Sequence, residues 1–147
     1  MNKKLLSLLL IPALLLSLLI PVLAKEEEEK APAGRKIAIK TEEEFLDFAE
    51  NCRIDSYSQD LTVTLKQDLD LSHADFTGIP IFCGTFEGGH HKIENLDLTG
   101  DGSHQGLFRY IAQGAKVNDL AVTGNAEPGG SQSNVGGIAG SNAGTLD

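Results

Sequence analysis

The residues with the most evident chemical potential are two adjacent histidines, His90 and His91, which come after Glu87 and two glycines. Imidazole and carboxylate groups can bind zinc or act as general bases. On a strand, however, adjacent side chains point to opposite faces, so only one histidine could act together with Glu87. The His-Glu-x-x-His pattern of zinc peptidases is absent from the sequence. We therefore predict a turn in which one imidazole bonds a backbone carbonyl.

A second candidate site consists of acidic residues that could bind calcium in a polysaccharide lyase, namely Asp68, Asp70, Glu94, Asp97 and Asp101. Calcium requires several oxygens converging at about 2.3–2.6 Å. Asp70 and Asp97 could stack on one face of successive coils, but the matching position in the third copy of the motif is Ala121. The sequence also does not bring Arg109, the potential base, near them. The sequence therefore favours a solvated acidic face over a metal site.

The remaining chemical groups have no partners that the sequence identifies. His73 and His104 lie in loop-like stretches, and the glycines of 84–89 lack the Lys-Ser or Lys-Thr end of a phosphate-binding loop. The chain has no Trp and only Tyr57 and Tyr110, which is a poor supply for a sugar-stacking platform. We predict no catalytic, cofactor-binding or metal-binding residue, and hence no cofactor.

The charge of the chain argues against nucleic acid as a partner. Its formal net charge is −9, and its Lys and Arg residues are scattered instead of clustered into a basic footprint. An acidic surface suits a soluble protein outside the cell.

The N-terminus has the layout of a secretory signal peptide, which we assign to residues 1–24. Lys3 and Lys4 precede an apolar run from Leu5 to Leu23, and the small residues Val22 and Ala24 suit cleavage after Ala24. An uncleaved membrane anchor is the alternative, because the run approaches the roughly 20 residues of a spanning helix. The sequence thus predicts a secreted or cell-surface protein that meets the membrane only through this segment.

After the leader, the sequence predicts a flexible tether at 25–36, which is charged and has almost nothing to bury. A short alternating segment at 37–39 then leads to a helix. Thr41 and Glu44 form a capping box, and apolar residues recur at helical spacing from Phe45 to Cys52. This helix is predicted to cover the first coil of a stacked repeat that begins after residue 60.

Two motifs recur alternately after residue 60. The first motif reads Asp68-Leu69-Asp70-Leu71-Ser72, Asn95-Leu96-Asp97-Leu98-Thr99 and Asp119-Leu120-Ala121-Val122-Thr123, with Lys92-Ile93 and Lys116-Val117 ahead of the last two copies and Gly100 and Gly124 behind them. The second reads Gly84-Thr85-Phe86, Gly106-Leu107-Phe108 and Gly137-Ile138-Ala139. A period in the twenties with short strands and glycine corners is typical of a solenoid.

The predicted fold is therefore all-β, a right-handed parallel β-helix with one N-terminal capping helix, occupying residues 37–147. Apolar residues such as Ile93, Leu96 and Leu98 cannot be buried by one coil, so the next coil must cover them, here with Val117, Leu120 and Val122. Glycines at the corners, including Gly88 and Gly129, permit tight turns, and the polar stretch 125–134 is interpreted as an insert. A β-sandwich is the rival fold, but it would not require a repeated motif.

Cys52 and Cys83 are the only cysteines. In an oxidising compartment they could form a disulfide that adds about 3–4 kcal/mol. Two separate buried thiols are the favoured interpretation, because a stacked repeat does not depend on a covalent link.

Three segments carry a family resemblance: Gly106-Leu107-Phe108, 116–124 and, above all, Val135-Gly136-Gly137-Ile138-Ala139-Gly140-Ser141-Asn142-Ala143-Gly144-Thr145. Together they resemble the GLUG-motif repeat of bacterial cell-surface proteins. The resemblance covers most of 37–147 and implies a β-helix of the pectate-lyase type in a long surface or secreted chain, with no activity assigned to the repeat. One departure is Glu87-Gly88-Gly89-His90-His91, where Asp-Gly-Asn-Gly-His is usual. A β-helix that ends at Asp147 would leave strand edges and apolar faces uncovered, so we expect the chain to be truncated there.

The function expected from these features is a non-catalytic surface segment acting as a stalk, scaffold or adhesion surface, with a host or cell-wall glycan or a protein surface as its partner. One alternative is the start of a carbohydrate-active β-helix enzyme. Another is the non-catalytic front of a surface metallopeptidase.

Overall fold

The computed structural model describes residues 34–99, 103–127, 130 and 134–147. The predicted signal peptide, the tether up to residue 33, Gly100, Asp101, Gly129 and much of the predicted insert lie outside the described residues. In the described part, no helix is both long enough and apolar enough to cross a membrane.

The described chain consists of one helix and short strands. They are, in order, β1 (Arg35–Ile39), α1 (Glu42–Asn51), β2 (Leu61–Leu65), β3 (Leu69–Asp70), β4 (Thr85–Glu87), β5 (Lys92–Leu98), β6 (His104–Gln105), β7 (Phe108–Ile111), β8 (Lys116–Asn118), β9 (Ala121–Ala126), β10 (Asn134–Val135), β11 (Ala139–Asn142) and β12 (Thr145–Leu146). The last two residues of the predicted tether, Arg35 and Lys36, belong to β1.

The strand pairs of the described chain are parallel, and they join successive turns. The longest sheet has the order β1-β2-β4-β8-β12, while β3-β5-β9, β6-β10 and β7-β11 form the other walls. Two isolated parallel bridges, Ile79 to Phe108 and Phe82 to Ile111, add residues 79–82 to the wall of β7. The predicted fold class is confirmed: the chain is a parallel β-solenoid of about four turns with one short helix.

The stacking register differs from the one that the repeated motifs predicted. Leu69 pairs with Ile93 and not with Leu96, so the step at this point is 24 residues instead of 27. Lys116 and Val117 stack on Thr85 and Phe86 in another wall altogether. These predicted alignments were wrong because the corners hold different numbers of residues, so similar sequences fall on different walls.

Of the residues predicted to cover the inner face of β5, only Val122 pairs with that strand. Ile93 pairs with Val122, but Leu96 pairs with Gly124 and Leu98 with Ala126. A register shift lies between Ile93 and Leu96, where Asn95 adopts a left-handed φ of 58°. This bulge lets all three apolar side chains of β5 point inward, because it interrupts the strict alternation of faces.

The predicted helix and its cap are present. Thr41 is the N-cap, and its hydroxyl accepts a hydrogen bond from the Glu44 N–H at 3.2 Å. The Glu44 carboxylate reaches back to the N–H of Lys40 at 2.6 Å, one residue before the cap. Phe45 and Phe48 are buried on the inner face of α1, so the helix covers the first coil as predicted.

An aromatic stack runs through the centre of the solenoid. Phe48 from α1 meets Phe82 edge-on at a centroid distance of 6.1 Å and also contacts Phe86 at 6.2 Å. Phe108 lies 5.1 Å from Phe82 and 5.6 Å from Phe86. All four rings are at most 2 % exposed, so they join the helix and the first two complete coils into one core.

Candidate functional site

Several residues that the sequence identified as candidates for chemistry come together at one edge of the solenoid, where the chain turns from the five-stranded wall into the three-stranded wall. We call this edge the polar corner and define it by Asp68, Asp70, His90, His91, Asn95 and Asp119. Three successive coils contribute to it: the first through the aspartates before and in β3, the second through 90–95, and the third through Asp119.

Asp68 binds the coil that comes after it. Its Oδ1 accepts the backbone N–H of Lys92 at 3.0 Å and lies 3.2 Å from His91 Nδ1. The Lys92 N–H, assisted by the His91 imidazole, lowers the pKa of the Asp68 carboxyl below its ordinary value of 3.8. The carboxylate therefore stabilises the stacked coils in its charged form.

Asp70 has a similar role one step along the strand. Its Oδ1 accepts from Asn95 Nδ2 at 2.8 Å and from the Ser72 N–H at 2.9 Å. These two bonds lower the pKa of the Asp70 carboxyl below its ordinary value, the Asn95 bond being the larger cause. The amide of Asn95 lies at the β5 bulge, so this contact supports the left-handed residue that the inner packing requires.

His90 and His91 reach toward opposite neighbours. His91 faces Asp68 of the preceding coil, whereas His90 lies with its Nδ1 3.4 Å from Asp119 of the next coil. His90 has a left-handed φ of 63°, and its backbone N–H donates to the Asp119 carbonyl at 2.9 Å. The segment is a turn as predicted, but the prediction of an imidazole bonded to a backbone carbonyl was wrong, since both rings face carboxylates.

The other acidic candidates are dispersed. Glu87 accepts from Asn118 Nδ2 at 3.1 Å, and Glu94 forms an ion pair with Lys92 at 3.2 Å. Asp97 is exposed and is in register with Asn125, while Asp70 is in register with Glu94. The predicted stacking of Asp70 on Asp97 is therefore wrong, again because the register step differs from the motif spacing. Asp101 is outside the described residues.

Of the remaining candidates, His104 and Arg109 lie on another wall, whereas His73 is close enough to Asp70 of the polar corner to make a smaller contribution to the lowered pKa of that carboxyl. His104 was predicted in a loop, but it belongs to β6 and stacks on Asn134. Its backbone carbonyl accepts from Arg109 Nε at 3.2 Å. His73 is exposed in the segment after β3. Sequence reasoning missed the pairing of His104 with Arg109, because the two are five residues apart across a bend that periodicity does not reveal.

Among the residues that the structure describes, no group of three or more His, Cys, Asp or Glu side chains is placed to hold a metal ion. Each polar-corner carboxylate instead accepts a hydrogen bond from, or faces, a group of a neighbouring coil. The arrangement at the polar corner holds coils together.

Both cysteines are free thiols. Cys52 is fully buried at the end of α1, and burial, with a smaller contribution from Cys83, raises its pKa to about 12. Cys83 is half-buried, with its sulfur 3.9 Å from the Asp55 carbonyl oxygen. At neutral pH Cys52 therefore behaves as a small apolar group, and not as a nucleophile.

We predict that acid weakens the fold through the polar corner. A carboxyl whose folded pKa lies below 3.8 stabilises the protein above that pH, and the stabilisation is lost as the pH falls through the folded pKa. The double substitution Asp68→Asn and Asp70→Asn removes both titrating groups while retaining amide oxygens as acceptors. We expect urea unfolding between about pH 5 and pH 2 to show a flatter decline for this variant than for the wild type.

Asp97→Asn is the matched control, because the Asp97 carboxylate makes no hydrogen bond or ion pair with the described residues. It should leave the pH profile unchanged. An unaltered acid decline in the double variant would contradict the stabilising role of the two carboxylates.

The stacked parallel walls, the aromatic interior and the interlocked polar corner define the chain as a β-solenoid protein. No protein-family model, curated protein or solved structure matches it.

Proposed function

We propose that this chain is an exported, non-catalytic segment of a bacterial surface protein that serves as a stalk, scaffold or adhesion surface. The observation that carries the proposal is the parallel stacking of coils in register across the solenoid. Each coil of a solenoid contacts only the coils next to it. The length of the stack can therefore serve as a spacer, and its outer walls can serve as a binding surface.

The way in which the candidate chemical groups are engaged supports a non-catalytic role. Asp68, Asp70 and Glu87 each accept a hydrogen bond from the next coil. Groups that hold coils together are not free to transfer protons to a substrate in the same geometry. The leader at 1–24 supplies the argument for export, and the acidic charge suits a protein outside the cell.

We also propose that the solenoid belongs to the GLUG type. Gly106 and Gly140, which lie in the motif segments, approach each other across two coils. A Cβ on Gly106 would lie 2.6 Å from the Gly140 nitrogen, and one on Gly140 would lie 2.8 Å from the Gln105 nitrogen. Glycine recurs in the motif, on this account, because the backbones of adjacent coils are too close for a side chain.

Export is tested by expressing the whole chain in a bacterial host and probing intact cells and medium with an antibody against residues 34–147. We expect the antigen in the medium or on the cell surface. A matched variant that lacks 5–23 should keep it inside. Retention of the full chain in the cytoplasm would contradict the proposal.

Catalysis is tested separately by incubating the purified protein with polygalacturonate and other acidic glycans and measuring chain cleavage. We expect no cleavage. Turnover that exceeds a heat-denatured control would overturn the non-catalytic role and favour the alternative of a carbohydrate-active β-helix enzyme.

A further inference from the structure

A shallow cleft lies on the wall formed by β7 and the stretch 79–82, away from the polar corner. The described residues that line it are Pro80, His104, Arg109 and Tyr110, and its volume is about 300 Å³. This volume is at the lower end of the roughly 300–1,000 Å³ that is typical of small-molecule sites.

Arg109 is held in a fixed position in this cleft. Its Nε donates to the backbone carbonyl of His104 at 3.2 Å. Its aliphatic stem passes over Gly78, where a Cβ would lie only 2.8 Å from Arg109 Cγ. A side chain fixed in this way loses little conformational entropy when its guanidinium binds a ligand.

Among the described residues, no carboxylate neutralises the charge of Arg109. The ion pairs in this part of the chain join Arg53 to Glu50 and Lys92 to Glu94, and the other close contacts of this kind join the two polar-corner histidines to aspartates. Arg109 belongs to none of them. In a chain of net charge −9, a half-buried arginine without an acidic partner in the described ranges is a distinctive feature of this wall.

The other groups of the cleft add an aromatic face and an imidazole ring. The Tyr110 side chain is 38 % exposed, which is unusual for the aromatic residues of this chain. The His104 ring lies 3.0 Å from Ser103 Oγ through Nδ1 and 3.2 Å from Asn134 Nδ2 through Nε2.

From this juxtaposition we infer that the cleft binds a carboxylated sugar residue of an acidic glycan. The guanidinium presents a planar pair of N–H groups that match a carboxylate, and one cation balances the single charge of one carboxylate. The exposed Tyr110 ring offers an apolar face to the sugar and a hydroxyl to its polar edge. Pro80 from the preceding coil completes the apolar floor.

The inference rests on the proposed function in one respect only, which is that an exported protein meets glycans outside the cell. Binding by purified protein does not depend on export, so failure of the binding test and failure of the export test are distinguishable.

The test measures binding of the purified full chain to three probes by isothermal titration: a uronic acid oligosaccharide, a sialic-acid-terminated oligosaccharide and a neutral oligosaccharide of matched length. We expect at least one acidic probe to bind at least tenfold more tightly than the neutral one, and the stronger of the two identifies the source of the carboxylate. Arg109→Gln should weaken that binding at least tenfold.

The matched control is Arg53→Gln, which removes a cation that is already paired with Glu50 on another element. It should leave the affinity unchanged. Arg109→Lys keeps the charge but loses the planar pair of donors, so it should fall between the wild type and Arg109→Gln. Circular dichroism shows whether each Arg109 variant is folded. If one is not, Tyr110→Ala still tests the cleft, because it changes an exposed side chain and should weaken binding.

Equal binding of the neutral and acidic probes would overturn the inference. So would an unchanged affinity in both Arg109→Gln and Tyr110→Ala. A short peptide with a free C-terminal carboxylate serves as a competitor. If it displaces the acidic sugar at a concentration lower than the sugar concentration that half-fills the cleft, the cleft is a site for a protein partner and the glycan is rejected.

Discussion

Phe86→Ala is expected to lower the free energy of unfolding by about 3–5 kcal/mol. Phe86 is fully buried and contacts Phe48 from the helix, Phe82 from its own coil and Phe108 from β7. Its removal leaves a cavity where α1 and two coils meet, and the parallel walls restrict how far the surroundings can collapse. The loss should therefore exceed the transfer free energy of the ring alone.

Equilibrium urea unfolding, monitored by circular dichroism, measures this effect. Leu146→Ala is the control, because Leu146 is 40 % exposed and its truncation should change the free energy of unfolding far less. A loss below about 1 kcal/mol for Phe86→Ala would show that the aromatic stack does not carry the core.

Gly88→Ala is expected to destabilise the protein by about 1–3 kcal/mol through backbone overlap between coils. Gly88 is buried where β4 turns toward β5, and its N–H donates to the Asn118 carbonyl at 2.8 Å. A Cβ at this position would lie 2.7 Å from both the carbonyl carbon of Asp119 and the Cα of Leu120. Because these atoms are backbone, the two coils would have to separate to admit a methyl group.

Gly137→Ala provides the comparison, since a Cβ there meets nothing within 4 Å. Thermal unfolding of both variants should show a clearly lower midpoint for Gly88→Ala and little change for Gly137→Ala. Equal midpoints would mean that the close approach of the coils at Gly88 does not limit the stability of the stack.

The helix could be predicted from sequence in detail because its signals are local. The Thr41 hydroxyl and the Glu44 carboxylate act within a few residues of each other, and the apolar face of α1 has the helical period. The solenoid class was predictable for a related reason. Short strands with a recurring motif cannot bury their apolar side chains except by stacking.

The register of the stack was not predictable in the same way. The step between coils is 24 residues from Leu69 to Ile93 but 31 from Phe108 to Ala139. Corners of different length absorb the difference, and the bulge at Asn95 shifts the pairing inside β5. The second and third copies of the glycine motif do align, and Phe108 pairs with Ala139 as their sequences indicate. The first copy, Gly84-Thr85-Phe86, lies in a different wall.

The roles of the polar residues depended on this register. From sequence, Asp68 and Asp70 were members of an acidic face, and His90 and His91 were members of a turn. Stacking places the carboxylates against Lys92, His91 and Asn95 of the next coil. The cleft at Arg109 likewise requires residues of two coils, and for that reason no sequence pattern indicated it.

The capping helix, the need for stacked parallel coils and the acidic character of the chain are all evident in the order and types of its residues, because they depend on local hydrogen bonding, side-chain burial and charge. The pairing of coil residues, the lowered pKa values of Asp68 and Asp70, and the meeting of Arg109 with Tyr110 in a cleft emerged only once the chain was folded. Those features depend on the number of residues taken up at each corner, and no local preference specifies that number.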